Sequence, residues 1–427
     1  MRVTLVFCAV GVAGFNPEWP NPRPVGDREG SWIGHGIASV GASVKAAGHE
    51  VKLLDLRQLM DFEHFESVIM EDPAEVYGLS VSAVDEFAAL RVVYGIKTHV
   101  PSAKIVIGGI MPSIFPDKFA FEVVDCVVQG EGEVTFPKIL EQFGRGERPD
   151  KIIKGEKPHL DSIPWVDREL FDYRRELDCF FAPDQKTPSV TMLAGRGCPY
   201  HCNYCQPAEN AVFGKPYRMR SPMNVINELI DLRGRYDFKS ITFWDDTFTF
   251  RPDWIDKFCD LYQANMFRAS IAACSRADII VDHEPMIERL ASIGLDWFVI
   301  GLESGSQRLL DFIKKGTTIL DNLQAVKICK KYGIKVFGTF MLGLPTETRA
   351  ESEATVTMIR RMEIELASPF IFRPIPGTGI YDYCEQNDLI LQSTKEATIA
   401  RTGVPGPTIK GVDYDHIGRI LPELRLI

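Results

Sequence analysis

The sequence predicts an α/β protein in two parallel parts: an open parallel sheet, then a partial (β/α)6 barrel with a short C-terminal tail. Three observations carry this. Short apolar runs alternate with stretches of helical spacing, and they do so twice along the chain. Gly or Ser marks the end of several apolar runs, where a backbone can come close to a ligand. The 427 residues are too many for one ordinary domain and suit two.

In the first part, residues 3–7 read as a strand. Residues 37–47 read as a helix that stops at Gly48, a natural C-terminal cap. Strands follow at 51–54 and 76–82, then a helix at 87–99. A fourth strand, 104–107, is closed by Gly108-Gly109. A fifth, 126–129, is closed by Gly130-Glu131-Gly132-Glu133, with a helix to about 143. Residues 1–143 therefore form one domain, and such sheets bind ligands at their carboxyl edge. Residues 144–188 are richer in Pro, Asp, Lys and Arg and open on Gly144-Arg145-Gly146-Glu147-Arg148-Pro149, which reads as a linker. The second part, 189–385, has strands at 189–193, 240–244, 270–274, 297–301, 335–342 and 370–374. Helices fall at 223–236, 254–265, 285–293, 306–313, 321–332 and 351–363. Six such units with right-handed crossovers curl into a partial barrel. Residues 386–427 read as an irregular tail.

Composition narrows the function. The chain is 45% hydrophobic and 25% charged, with a net charge of −10. That balance argues against a nucleic-acid binder, whose affinity rests on Lys and Arg. The apolar start soon meets Pro17, Glu18, Pro20 and Pro22, so it reads as a strand and loop rather than a signal peptide. No run of about eighteen apolar residues occurs, so no membrane span is expected. Ten scattered cysteines read as reduced thiols of a cytoplasmic protein, in which a clustered subset is a metal or catalytic site.

That subset is Gly195-Arg196-Gly197-Cys198-Pro199-Tyr200-His201-Cys202-Asn203-Tyr204-Cys205, a C-x3-C-x2-C pattern just after the first barrel strand. Three thiolates on one loop can hold three corners of a cubane iron–sulfur cluster. The fourth iron then stays open to a chelating substrate. Structural zinc is the alternative, with His201 between two of the cysteines, but it wants four ligands, usually in separated pairs. No fourth ligand follows at a suitable spacing.

With Tyr204 in its aromatic place, this motif resembles that of the radical S-adenosylmethionine superfamily. The resemblance extends through Phe243-Trp244-Asp245-Asp246-Thr247-Phe248, Ile300-Gly301-Leu302-Glu303-Ser304-Gly305-Ser306, Gly343-Leu344-Pro345-Thr346-Glu347-Thr348 and Arg373-Pro374-Ile375-Pro376-Gly377-Thr378. It implies a [4Fe-4S] cluster on Cys198, Cys202 and Cys205. S-adenosylmethionine would chelate the open iron, and its reductive cleavage would give a 5′-deoxyadenosyl radical. By the same resemblance Tyr204 lies against the adenine. Asp245, Arg276, Glu303 and Ser304 are candidates for the polar shell of the methionine and ribose. Read as residues alone, Asp245-Asp246 also suits a solvated turn or helix cap, and Arg276 a surface ion pair. An electron donor of the flavodoxin or ferredoxin type is expected.

The first domain is similar to the Rossmann-like cobalamin-binding domains that precede such barrels. The matching residues are the helix at 34–48, Gly78-Leu79-Ser80-Val81-Ser82, Ile107-Gly108-Gly109 and Gly130-Glu131-Gly132-Glu133. The resemblance makes Ser80, Ser82, Gly108, Gly109 and Gly130 candidate contacts to the nucleotide tail of cobalamin. A D-x-H-x-x-G motif is absent from the domain, so no His from that loop ligates cobalt. Gly34-x-Gly36 lies too far past the first strand for a nicotinamide site. The pair of domains implies a cobalamin-dependent radical methyltransferase acting on an unactivated carbon. The alternative is a cyclase, mutase or ring-remodelling enzyme for a tetrapyrrole, lipid or small molecule. A further reading is a cobalamin or redox sensor. A methylthiotransferase would need three N-terminal cysteines, and only Cys8 and Cys126 precede the linker. The short tail leaves little to cover the barrel mouth, so a peptide or protein substrate that closes the mouth itself is expected. Residues from Glu385 to Asn387, from Arg401 to Pro407, and His416 are candidates to line the mouth, but a plain surface tail is the preferred reading. Cys259, Cys274 and Cys329 read as core thiols; Cys179 and Cys384 have no assignment.

Overall fold

The computed structural model describes residues 1–8, 33–82, 86–171, 173–178, 182, 184–391 and 408–424. The chain forms two compact units. The first holds Met1–Glu176 together with Pro207–Lys215, and the second Leu177–Gln206 and most of the chain from Pro216 on.

The first unit is a six-stranded parallel sheet in the order β2-β1-β3-β4-β5-β6. Its strands are β1 (Arg2–Phe7), β2 (Glu50–Asp55), β3 (Val76–Ser80), β4 (Lys104–Gly108), β5 (Cys126–Gln129) and β6 (Ile152–Lys154). Helices His35–Ala46, Phe62–Glu71, Glu86–His99, Ile110–Ile114 and Thr135–Gly144 connect them. Val6, Phe65, Tyr77, Val92, Ile96 and Ile105 are fully buried in one core. Each such side chain is worth about 1.5–3 kcal/mol on burial. The stretch expected as a linker from 144 to 188 departs from that reading. It contributes β6, paired with β5 from Val127↔Ile152 to Gln129↔Lys154. Only two apolar residues mark this edge strand, and Lys151 and Lys154 flank them; charged edges are how sheets avoid pairing with strangers.

The second unit is a parallel sheet in the order β14-β13-β12-β11-β10-β7, with a two-stranded antiparallel pair β8-β9 beside it. These strands are β7 (Ser189–Met192), β8 (Gly195–Arg196), β9 (Arg218–Met219), β10 (Ser240–Phe243), β11 (Ser270–Ser275), β12 (Leu295–Glu303), β13 (Lys335–Leu342) and β14 (Leu366–Ile371). The strand expected at 370–374 lies earlier: pairing with β13 runs from Phe337↔Leu366 to Leu342↔Ile371. The apolar run Phe370-Ile371-Phe372 drew the expectation onward. Pro374 cannot donate to a ladder, whereas Pro369 is tolerated on an edge strand. The tail is not wholly irregular either. Tyr414–Leu424 is a helix, and its Tyr414 hydroxyl accepts from Thr408 N at 3.2 Å and Ile409 N at 3.1 Å. Ile409 joins a buried cluster with Leu309, Met341, Leu344 and Phe372. Arg401 and Pro407 lie outside the described residues, as does Cys179. His416 is buried rather than on a surface.

Candidate active site

The cysteine loop leaves β7 and is tied down before its first ligand. Both oxygens of Asp245, just past β10, accept backbone N–H groups, from Ala194 at 2.9 Å and from Gly195. Burial pushes this carboxyl up to about 7, while the two N–H groups hold it partly down. Asp245, expected near S-adenosylmethionine, positions the start of the loop. Gly197 turns the chain at φ +84°, a conformation that favours glycine. Further on, Asn203 N donates to Ile313 O at 3.0 Å, and Gly379 N donates to Gln206 O at 2.9 Å. The loop is thus held on both sides by main-chain bonds.

Cys202 is buried, Cys198 intermediate and Cys205 exposed. Desolvation still raises the Cys205 thiol. Its exposure leaves Cys205 accessible to a ligand, while the protein packed around it accounts for the desolvation. Cys198 Sγ lies 4.0 Å from Thr247 Oγ1, and Cys202 Sγ lies 3.7 Å from Arg276 Nη1. Among the described residues no three His, Cys, Asp or Glu side chains gather as ligands of one ion. A cubane takes one thiolate at each corner and needs no such convergence. Three thiols with a guanidinium beside one of them suit an anionic cluster.

Beside the loop, half-buried Tyr204 forms a polar trio with the buried Glu303 and Lys315. Tyr204 Oη donates to Glu303 Oε1 at 3.0 Å, and Lys315 Nζ donates to both, at 2.9 Å to Glu303 and 3.1 Å to Tyr204. Glu303 itself has φ +61°, strain that is held only where surroundings over-determine it. Gly301 makes room: a Cβ there would meet Glu303 Oε1 and stand 2.7 Å from Lys315 Nζ. Of this trio the sequence singled out Tyr204 and Glu303 but not Lys315. Its only signal was Lys314-Lys315-Gly316 after a helix.

Arg276 is no surface ion pair. It is about 5% exposed, and its guanidinium faces Cys202. Ser304 is fully buried and accepts from Ser306 N at 3.1 Å, with Thr355 Oγ1 at 3.4 Å. Its hydroxyl braces the turn after β12.

In the first unit, the expected residues share the carboxyl edge of the sheet. Ser80 pairs in register with Gly108, and Ser82, half-buried, follows β3. Gly109 has φ +106°, and a Cβ would come within 2.7 Å of Val81 N and O. The close approach of Val81 by itself demands a glycine here. Ser113, which the sequence did not reveal, ties the edge together: its hydroxyl donates to Gly109 O at 2.6 Å and accepts from Gly130 N at 2.8 Å. At Gly108 a Cβ would meet nothing nearer than Val128 O at 3.7 Å. The small residues along this edge, Ser80, Gly108, Gly109 and Gly130, fit the tail of a cobalamin.

Residues 192–359 match the Radical SAM superfamily, and residues 24–140 match the B12 binding domain. An uncharacterised methyltransferase of Pyrococcus horikoshii is 30% identical over 82% of this chain and 78% of its own length. The anaerobic magnesium-protoporphyrin IX monomethyl ester cyclase of Synechocystis is 25% identical over 72% of this chain and 64% of its own length. In fold, the chain is similar to the radical S-adenosylmethionine methyltransferase TsrM from Kitasatospora setae, solved with cobalamin and a [4Fe-4S] cluster bound. The TM-score is 0.69 at 17% identity, over 90% of this chain and 78% of that one. Fold and site together define a radical S-adenosylmethionine enzyme. More narrowly, the chain belongs to the radical S-adenosylmethionine enzymes that carry a B12-binding domain. The cofactors of that pair of domains are a [4Fe-4S] cluster, S-adenosylmethionine and cobalamin.

Proposed function

We propose that this enzyme is a cobalamin-dependent radical methyltransferase that methylates an unactivated carbon of a peptide or protein. The observation that carries the reading is one chain holding both a three-cysteine loop at a barrel strand end and a B12-binding sheet, with a methyltransferase relative at 30% identity. When bound, the cluster with S-adenosylmethionine supplies a carbon radical and cobalamin supplies a transferable methyl group. This chain's residues bind and orient. Cys198, Cys202 and Cys205 hold three irons. Tyr204, fixed by Glu303 and Lys315, offers a ring face to adenine. Glu303 offers the ribose a carboxylate already oriented by Lys315. Ser80, Ser82, Gly108, Gly109 and Gly130 border the cobalamin tail. A one-electron donor of the flavodoxin or ferredoxin type completes the system. The three-thiol site supports placing it in a reducing cytoplasm. No helix among the described residues is long and apolar enough to cross a membrane. The substrate class follows the expectation that a large acceptor shields the radical from water.

The test is transfer of label from methyl-labelled S-adenosylmethionine by the reconstituted enzyme to candidate peptides, followed by mass spectrometry. A labelled product with a new C–methyl group supports the reading; 5′-deoxyadenosine formed in step with an unmethylated product overturns it. That second pattern is what a cyclase would show, a reading favoured by the cyclase relative at 25% identity.

A further inference from the structure

We propose that Arg276 tunes the reduction potential of the cluster through the sulfur of Cys202. The inference rests on Cys202 being a cluster ligand and concerns what the chain does to that ligand. Arg276 follows β11, and every part of its guanidinium is fixed. Nε and Nη2 donate to the two carboxylate oxygens of Asp278 at 3.0 and 2.9 Å. Nη2 also donates to Lys315 O at 2.7 Å. The plane lies over Tyr200, with Cζ 3.6 Å from the ring centroid. Nη1 is left facing Cys202 Sγ at 3.7 Å.

A guanidinium stays charged at any pH a protein survives, and its fork is planar. The positive charge beside this sulfur is therefore permanent and immobile. Reduction adds an electron whose charge spreads onto the ligand sulfurs. A charge-assisted N–H···S bond stabilises the more electron-rich state more than the oxidised one. Hydrogen bonds to the sulfurs and local charge are among the factors that set the potential of such clusters. Arg276 therefore raises the potential and makes the first electron easier to deliver. A role as a clamp on the methionine carboxylate fits less well. The Nε hydrogen, both Nη2 hydrogens and one on Nη1 already point at protein acceptors, which leaves too few for a bidentate grip. Asp278 and Tyr200 are positioning residues for Arg276.

The experiment is an EPR-monitored potentiometric titration of the full-length, cluster-reconstituted enzyme without S-adenosylmethionine. Wild type is compared with Arg276→Gln and Arg276→Lys, and S-adenosylmethionine affinity is measured on the same samples by calorimetry. At the potential that half-reduces wild type, the ratio of reduced to oxidised cluster in Arg276→Gln is expected to fall about tenfold, the equivalent of one charge-assisted hydrogen bond. Arg276→Lys should fall between the two, with affinity close to wild type in both. Superimposable titrations overturn the proposal, and so does an affinity loss with an unmoved potential, which would make Arg276 a ligand clamp. If Arg276→Gln loses its iron, Asp278→Asn serves instead, since it keeps the charge and frees the fork: a lowered potential supports tuning and an unmoved one refutes it. Wild type failing to hold a cluster at all would sink the underlying assignment and the tuning argument with it, a failure distinct from an unmoved potential in a loaded enzyme.

Discussion

Lys315 and Glu303 show how much of the site depends on single buried charges. Their side chains are 7% and 9% exposed and meet at 2.9 Å. Removing one member of a buried pair costs about 3–5 kcal/mol, because the other charge is left uncompensated. Lys315→Met should therefore lower the denaturant midpoint strongly, and adding Glu303→Gln to the same chain should restore part of it. An equal loss in the single and double variants would show that the pair is not coupled. Asp245 is a second case. Asp245→Ala leaves two buried N–H groups unpaired, at roughly 1–3 kcal/mol each. Iron retained per chain should fall with stability, since the cysteine loop loses its anchor. Unchanged iron and an unchanged midpoint would remove Asp245 from the loop's support. Spacing and motif singled out the cysteines, Tyr204 and Glu303. They could not reveal the hydrogen bonds that Asp245 and Ser304 make, because a carboxylate at a strand end looks the same whether it faces a ligand or a peptide N–H.

Element ends carry the next set of consequences. At the turn after β13, Glu347 accepts from Gly343 N and Leu344 N. Burial pushes its carboxyl from 4.5 up to about 7; the two N–H groups and Arg308 oppose this, and Glu351 adds to it. An acid raised in the folded state stabilises the fold when protonated. That contribution is complete below pH 4.5 and is lost as pH rises through about 7. Wild type should thus lose stability relative to Glu347→Gln across that window, with no further divergence above it. Thermal unfolding in a buffer series checks this, and a constant difference from pH 4 to 8 would contradict it. In the first unit, Gly109→Ala forces a Cβ against Val81 at a positive φ, for about 1–3 kcal/mol. The melting temperature and cobalamin retention should drop together; an unchanged melting temperature would mean the edge relaxes freely. Most strands were legible because apolar runs bounded by turns are local patterns. The three-residue β6, the register of β14 and the helix Tyr414–Leu424 were not, because edge pairing and docking are set by partners distant in sequence.

At the scale of the whole molecule, each unit has its own parallel sheet. Loss of one cofactor need not unfold the other's support. Cys202→Ala should reduce cluster iron to background while absorbance after incubation with hydroxocobalamin and desalting still shows retained cobalamin. Cobalamin lost along with the iron would mean the two sites depend on each other for folding.

Two parallel sheets, their order along the chain and the open-iron cysteine motif follow from the residues read in a line. Periodicity and ligand spacing are short-range properties that survive without coordinates. The environment of the motif is different in kind. Arg276 meets Cys202 across 74 positions, Tyr204 meets Glu303 across 99, and Gly195 meets Asp245 across 50. Only the closing of β10, β11 and β12 into one sheet brings those side chains to the same strand ends. Which of them touch a ligand sulfur, which hold the loop and which merely cap a turn is decided there, by burial and hydrogen-bond partners that no local pattern records.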